Sequence, residues 1–96
     1  MANNFTDIKL HNNTSRKRFE MDVNGSTAFI EYNLENGVLT LVHTEVPEVL
    51  RGEGAGSAII LKTLVYAREN NLTIKPVCPF VVAYIQRHPE WLEFTK

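Results

Sequence analysis

Two Asn-Gly pairs, Asn24-Gly25 and Asn36-Gly37, each lie between residues of alternating polarity. Asn-Gly is the strongest short signal for a two-residue type I′ hairpin, because both central positions of that turn need a positive φ that these residues tolerate. The two turns fix a register. Around Asn36-Gly37 it sets Leu34 opposite Leu39, Tyr32 opposite Leu41 and Ile30 opposite His43; around Asn24-Gly25 it sets Met21 opposite Ala28 and Phe19 opposite Ile30. Both hairpins place their apolar residues on one face, and a slip of one residue in either would move that whole set to the other side. The reverse face carries Arg18, Glu20, Asp22, Glu31 and Asn33 and is expected to be wet, except where Phe29 and Val42 point to some cover. Ile8 and Leu10 suggest a further edge strand, with the polar segment from His11 to Lys17 as a loop, which makes four consecutive antiparallel strands.

From Ser57 to Asn71 the apolar positions Ile60, Leu61, Leu64, Val65 and Ala67 form a helical stripe, with Lys62, Glu69 and Asn70 on another side. Thr73-Ile74-Lys75-Pro76-Val77 then reads as a short strand. A strand that follows a helix returns parallel to the strand before that helix. Pro79 suits the first turn of a second helix through Val81, Tyr84 and Ile85 to about His88, where Pro89 ends it. Trp91 and Phe80 are expected to close the core, the alternative being that they meet a ligand. At 96 residues and 44% apolar content the chain suffices for a single domain, residues 1–96, with one modest core. The expected fold is α+β: a mixed sheet of about five strands, four antiparallel and then a parallel β-α-β crossover, with two main helices.

Ten Lys and Arg against 11 Asp and Glu leave a net charge of -1, which provides no electrostatic footprint for nucleic acid or an anionic membrane as partner. The opening Met1-Ala2-Asn3-Asn4-Phe5-Thr6-Asp7 lacks the basic and then apolar segments of a signal peptide, and no apolar run approaches membrane-spanning length. A cytoplasmic protein is expected, monomeric or weakly dimeric through an edge strand. The one cysteine, Cys78, forms no internal disulfide, in keeping with a reducing compartment.

Between the strand ending at Val46 and the first helix stands Arg51-Gly52-Glu53-Gly54-Ala55-Gly56. Glycines let the backbone turn with positive φ and approach a ligand, and the first turn of a helix adds unpaired N–H donors, so this layout is an anion cradle suited to a phosphate-bearing ligand. The helix dipole accounts for only about 0.3–1 kcal/mol at an exposed site, which leaves most of the affinity to the aligned amides. A nucleotide-hydrolysing P-loop would need Gly-x-x-x-x-Gly-Lys-Ser/Thr, and no lysine is present here. A dinucleotide fold would need an acidic residue ending the next strand, which instead ends Lys75-Pro76-Val77.

The spacing Arg51-x-x-Gly54-x-Gly56, entered from Val46-Pro47, is similar to the pattern by which the GNAT superfamily of N-acetyltransferases holds the pyrophosphate of coenzyme A. His43-Thr44-Glu45-Val46-Pro47, Pro76-x-Cys78-Pro79-Phe80-Val81 and Tyr84-Ile85-x-x-His88-Pro89-Glu90-Trp91 extend the likeness, and the chain resembles the small, single-domain GNAT-like proteins of the YjdJ type over roughly residues 15–92. The resemblance implies acetyl-coenzyme A as co-substrate and an amine acceptor, small molecule or protein. It implies a sheet that splays between the strands ending at Val46 and Val77 to admit the pantetheine arm, and a cofactor site of Val46, Arg51, Gly52, Gly54, Ala55, Gly56 and Ser57. Larger relatives begin with helices that shape the acceptor site; no counterpart is read here, so the acceptor stays open.

Acyl transfer to an amine requires a neutral nucleophile, donors for the oxyanion and a proton for the leaving thiolate. A lysine amine, with an ordinary pKa near 10.4, is mostly protonated at neutral pH, so a base or a desolvating site is needed. Backbone amides near Glu45 and Val46 would polarise the carbonyl, as the resemblance suggests. His43 is the first choice of base, since it lies on the buried face in the register above and histidine titrates near neutrality; the alternative is a core histidine bonded to backbone. Glu45 is a second base, or else an ordinary exposed carboxylate. Cys78 opens a helix, where a thiol becomes more reactive, or is a small buried residue. Tyr84 matches the tyrosine that many GNAT relatives use to protonate the thiolate, or is a packed aromatic. His11, His43, His88 and Cys78 have no zinc-motif spacing, so no metal is expected. A His43–Cys78 hydrolase dyad would leave the glycines unexplained. The function expected is acetyl-coenzyme A-dependent N-acetyltransfer, and the alternative is a non-catalytic acyl-coenzyme A binding or sensing module.

Overall fold

The computed structural model of the chain describes residues 5–96, so the opening residues 1–4, part of the stretch from which no signal peptide was expected, lie outside the described residues. Five strands form one sheet in chain order: β1 (His11–Asn13), β2 (Arg18–Val23), β3 (Ser26–Glu35), β4 (Val38–Glu45) and β5 (Thr73–Pro76). β1 to β4 pair antiparallel, and β5 runs parallel to β4 after the crossover through helix α1 (Ala55–Glu69). Helix α2 (Pro79–Arg87) follows β5 directly, with Pro79 in its first turn, and a short 3-10 segment, Pro89–Phe94, closes the chain.

Both Asn-Gly turns form as expected. Asn24 and Gly25 have φ of 51° and 83°, and Asn36 and Gly37 have 53° and 78°, left-handed at both central positions as a type I′ turn requires. Phe19 faces Ile30, Met21 faces Ala28, Tyr32 faces Leu41 and Leu34 faces Leu39. The register then departs from expectation by one residue. Val42 is an extra residue in β4, so Glu31 pairs with His43 and Ile30 pairs with Thr44. This β-bulge turns His43 to the outer face and Thr44 into the core, where it is 4% exposed. His43 is therefore not on the buried face.

The edge strand is His11–Asn13, inside the segment read as a loop, while Ile8 and Leu10 pack on the core ahead of it. A polar strand lacks the apolar alternation that marks strands in sequence. Here the Tyr32 hydroxyl donates to Asn12 Oδ1 at 2.7 Å and ties the strand inward. On the outer face the Arg18 guanidinium lies 4.3 Å from the Phe29 ring centroid, held by its bond to Glu20, and Val42 stays half exposed.

One buried cluster joins the inner face of the sheet to both helices. Phe19, Met21, Ile30, Leu39 and Leu41 meet Ile59 and Leu64 of α1, Ile74 of β5 and Val81 of α2, all fully enclosed, each such side chain stabilising the fold by about 1.5–3 kcal/mol. Trp91 joins this core, as expected. Phe80 does not. The buried positions of α2 are Val81, Tyr84 and Ile85, spaced i, i+3 and i+4, and Phe80 falls on the flank of that stripe at 66% exposure.

Candidate functional site

The parallel pairing of β4 with β5 stops at Leu41 and Pro76, whereas β4 runs on to Glu45. Val77 and Cys78 both donate their backbone N–H to the Leu41 carbonyl oxygen, at 3.0 and 2.9 Å, and close the ladder there. Beyond that point β4 and the start of α2 are joined by side chains. Thr44 Oγ1 and Cys78 Sγ lie 3.3 Å apart, both buried. The bulge at Val42 bends β4 where the strands part.

After Glu45 the chain turns through Pro47 and the single 3-10 turn Glu48–Leu50 into the glycine segment. Arg51 Nε donates to the Val46 carbonyl oxygen at 3.1 Å, which ties the loop to the strand it left. Gly52 and Gly54 have φ of 81° and 88°, left-handed values open to glycine, whereas Gly56 lies inside α1. Helix α1 starts at Ala55, ahead of the expected Ser57, with Gly54 at its N-cap. Among the described residues no side chain caps this terminus, and no acidic residue stands in its first turn. The intrahelical ladder opens with Ala58 N–H on the Gly54 carbonyl oxygen at 2.9 Å, so the amides ahead of it have no acceptor within the helix.

These amides border a cavity of about 500 Å³ at the carboxyl ends of β4 and β5. That volume suits a small-molecule ligand, and open α/β sheets bind ligands at this end of their parallel strands. Val46, Arg51, Gly52, Gly54, Ala55, Gly56 and Ser57, the residues expected to form a cradle, all line it, together with Glu45. Thr44, Leu50, Ile60 and Phe80 complete the wall and were not foreseen. Thr44 was hidden by the bulge, Leu50 and Ile60 looked like ordinary core, and Phe80 was assigned to the core. Its place two residues after Cys78, at the start of a helix, was the available signal.

The other candidates are less gathered. His43 Nε2 lies 4.0 Å from Glu45 Oε1, both side chains about half exposed on the outer sheet face, with the His43 ring edge-on to Phe29. Cys78 is buried one side chain behind the cavity wall, at the N-cap of α2. Tyr84 stacks on His88 with centroids 4.3 Å apart and faces a second groove, lined by Leu61 and Lys62, that meets the first at Gly54 and Ser57. Burial holds the Tyr84 hydroxyl above the usual tyrosine pKa, with Glu90 adding to the shift and Arg87 opposing it. Among the described residues no three His, Cys, Asp and Glu side chains are grouped so as to hold a metal ion. No helix of the described residues is long and apolar enough to cross a membrane.

A family model described as GCN5-related N-acetyl-transferase matches residues 18–94. The chain is similar to Protein NATD1 of Mus musculus, 26% identical over 86 residues that cover 85% of this chain and 77% of that protein. Protein NATD1 of Danio rerio is 26% identical over 94 residues, covering 92% of this chain and 84% of that one. Among solved structures, a GCN5-like protein of Staphylococcus aureus determined by NMR superposes with a TM-score of 0.70 at 24% identity, over 95% of this chain and 90% of that one. That likeness is one of fold.

Proposed function

This chain belongs to the GCN5-related N-acetyltransferase family, and from that premise we propose that it moves an acetyl group from acetyl-coenzyme A to an amine. One observation carries the proposal: the N-terminus of α1, which no side chain caps among the described residues, opens on a cavity of about 500 Å³ where β4 and β5 part company. The fit to a pyrophosphate is chemical. Amides with no acceptor inside the helix, left-handed glycines, a nearby guanidinium and a first turn without a carboxylate all favour an anion at that terminus. Gly52, Gly54, Ala55, Gly56 and Ser57 would hold the phosphates with Arg51, and Val46 would flank the arm.

When bound, the thioester supplies an acyl group already activated for transfer. The chain's part is to position it, take a proton from the amine and return one to the thiolate. Glu45 is our base, since it lines the cavity while its side chain remains accessible to an incoming amine. His43, 4.0 Å from it, would share that proton. Backbone amides of Glu45 and Val46, beyond the last β4–β5 pair, would face the carbonyl oxygen. Cys78 would return the proton to the thiolate through the Thr44 hydroxyl, 3.3 Å away, whereas Tyr84 would act as a packed aromatic.

A second reading, a non-catalytic acyl-coenzyme A sensor, is favoured by one observation. Of the four acid–base candidates, Glu45 alone lines the cavity. Substitution separates the two. Gly54→Asp sets a carboxylate against the pyrophosphate and should weaken acetyl-coenzyme A binding at least tenfold by calorimetry in either case; unchanged affinity would remove the cradle from the account. Glu45→Gln with His43→Gln should preserve affinity and abolish acetyl transfer to an amine panel. Tight binding by the wild-type protein with no turnover of any amine would select the sensor.

A further inference from the structure

Phe80 is a large aromatic side chain, 66% exposed, standing in the wall of the cavity. Its position is well anchored. Pro79 fixes the backbone before it at the first turn of α2, and the two N–H bonds to the Leu41 carbonyl oxygen tie that turn to β4. Leu50 and Ile60, which share the wall, differ from it in one respect. They are 5% and 4% exposed, so a ligand entering the cavity removes almost none of their surface from water. Apolar surface contributes to affinity only where binding changes its exposure, and among these wall residues Phe80 has by far the most left to cover.

We propose that Phe80 closes over the pantetheine arm of the coenzyme A thioester and is a determinant of affinity for that arm. The inference rests on the coenzyme A reading above. Its chemical logic is a division of the ligand between two ends of the cavity. The phosphates are anionic and match the amides of Gly54 to Ser57 on α1; the arm is the largely apolar portion, and Phe80 faces the opposite strand end, Thr44 to Val46, across the gap where β4 and β5 separate. An aromatic ring at that point also keeps water from the thioester.

The test compares two ligands on one variant. Covering roughly a third of a ring that buries about 150–250 Å² when fully enclosed corresponds to about tenfold in affinity. Phe80→Ala should therefore weaken acetyl-coenzyme A about tenfold by calorimetry. It should leave 3′-phosphoadenosine 5′-diphosphate, which keeps the phosphates but lacks the arm, within about twofold. Phe80→Leu should fall between wild type and Phe80→Ala for the thioester alone. Equal losses for both ligands, or no loss for either, would overturn the role of Phe80 while leaving the cradle in place. A wild-type protein that binds neither ligand would overturn the coenzyme A reading itself, and this inference with it.

Discussion

Gly54 and Gly56 are spaced as one motif, yet the backbone holds them for different reasons. Gly54 sits at φ 88°, where any side chain is strained although no atom lies within 4 Å of an added Cβ. Gly56 is helical, and its added Cβ would meet only Val46 Cγ2 at 3.6 Å, an ordinary contact. An L-residue in the left-handed region costs about 1–2 kcal/mol, whereas Gly→Ala inside a helix gains about 0.5–1 kcal/mol. Gly54→Ala should thus lower the melting temperature and Gly56→Ala should raise it, by about 4–8 °C per kcal/mol for a domain of this size. Thermal melts of the two variants check the opposite signs; a shared sign would show that α1 does not begin as described. The need for glycines at this loop was legible in the sequence, because positive φ and close approach select that residue. What each one answers to was not, since position in the helix decides it. Phe80 was misread for a similar reason. Its hydrophobicity says core, but its angular place on α2, just outside the stripe of Val81, Tyr84 and Ile85, puts it at the cavity.

At the scale of elements, the two hairpins, the crossover and both helices could be read from turn chemistry and periodicity, while β1 and the bulge could not. β1 is held by backbone pairing to β2 and by the Tyr32–Asn12 bond rather than by buried carbon, and hydrophobic patterning cannot detect such a strand. The bulge is harder still. Val42-His43-Thr44 supports either phase of alternation, and only the pairing across to Glu31 and Tyr32 decides that His43 faces outward and Thr44 inward. The consequence for the site is direct, because the bend it imposes lies where β4 leaves β5. Deleting Val42 would let β4 pair continuously with β3 and keep the faces of Leu41, His43 and Thr44 as they are. We expect the variant to retain its far-ultraviolet circular dichroism and to bind acetyl-coenzyme A at least tenfold more weakly by calorimetry. Undiminished affinity would mean that the bulge does not hold the gap open.

Across the whole molecule, stability is coupled to pH through groups that do not line the cavity, on both sides of neutrality. Glu20 on β2 accepts a bond from Arg18, which holds its carboxyl below the ordinary value of 4.5 despite partial burial. The folded state then binds fewer protons than the unfolded chain, so this contribution is complete above about pH 4.5 and fades as pH falls through the lowered value. Tyr32 on β3 and Tyr84 on α2 lie on the other limb. Burial raises both hydroxyls above the ordinary value of 10.0, so their contribution is complete below about pH 10 and is lost as pH climbs through the raised values. Urea midpoints measured across pH should form a plateau through neutrality with a shoulder at each end. Glu20→Gln should flatten the acid shoulder, and Tyr84→Phe should shrink the alkaline one to the part that Tyr32 carries, each leaving the other shoulder in place; a Tyr84→Phe protein with the full alkaline loss would show that its buried hydroxyl contributes nothing to it. The plateau also governs how the chemistry can be tested. Because neither limb falls near neutrality, a change in acetyl transfer between pH 6 and 8 would report the chemistry of the site rather than loss of the fold that positions it.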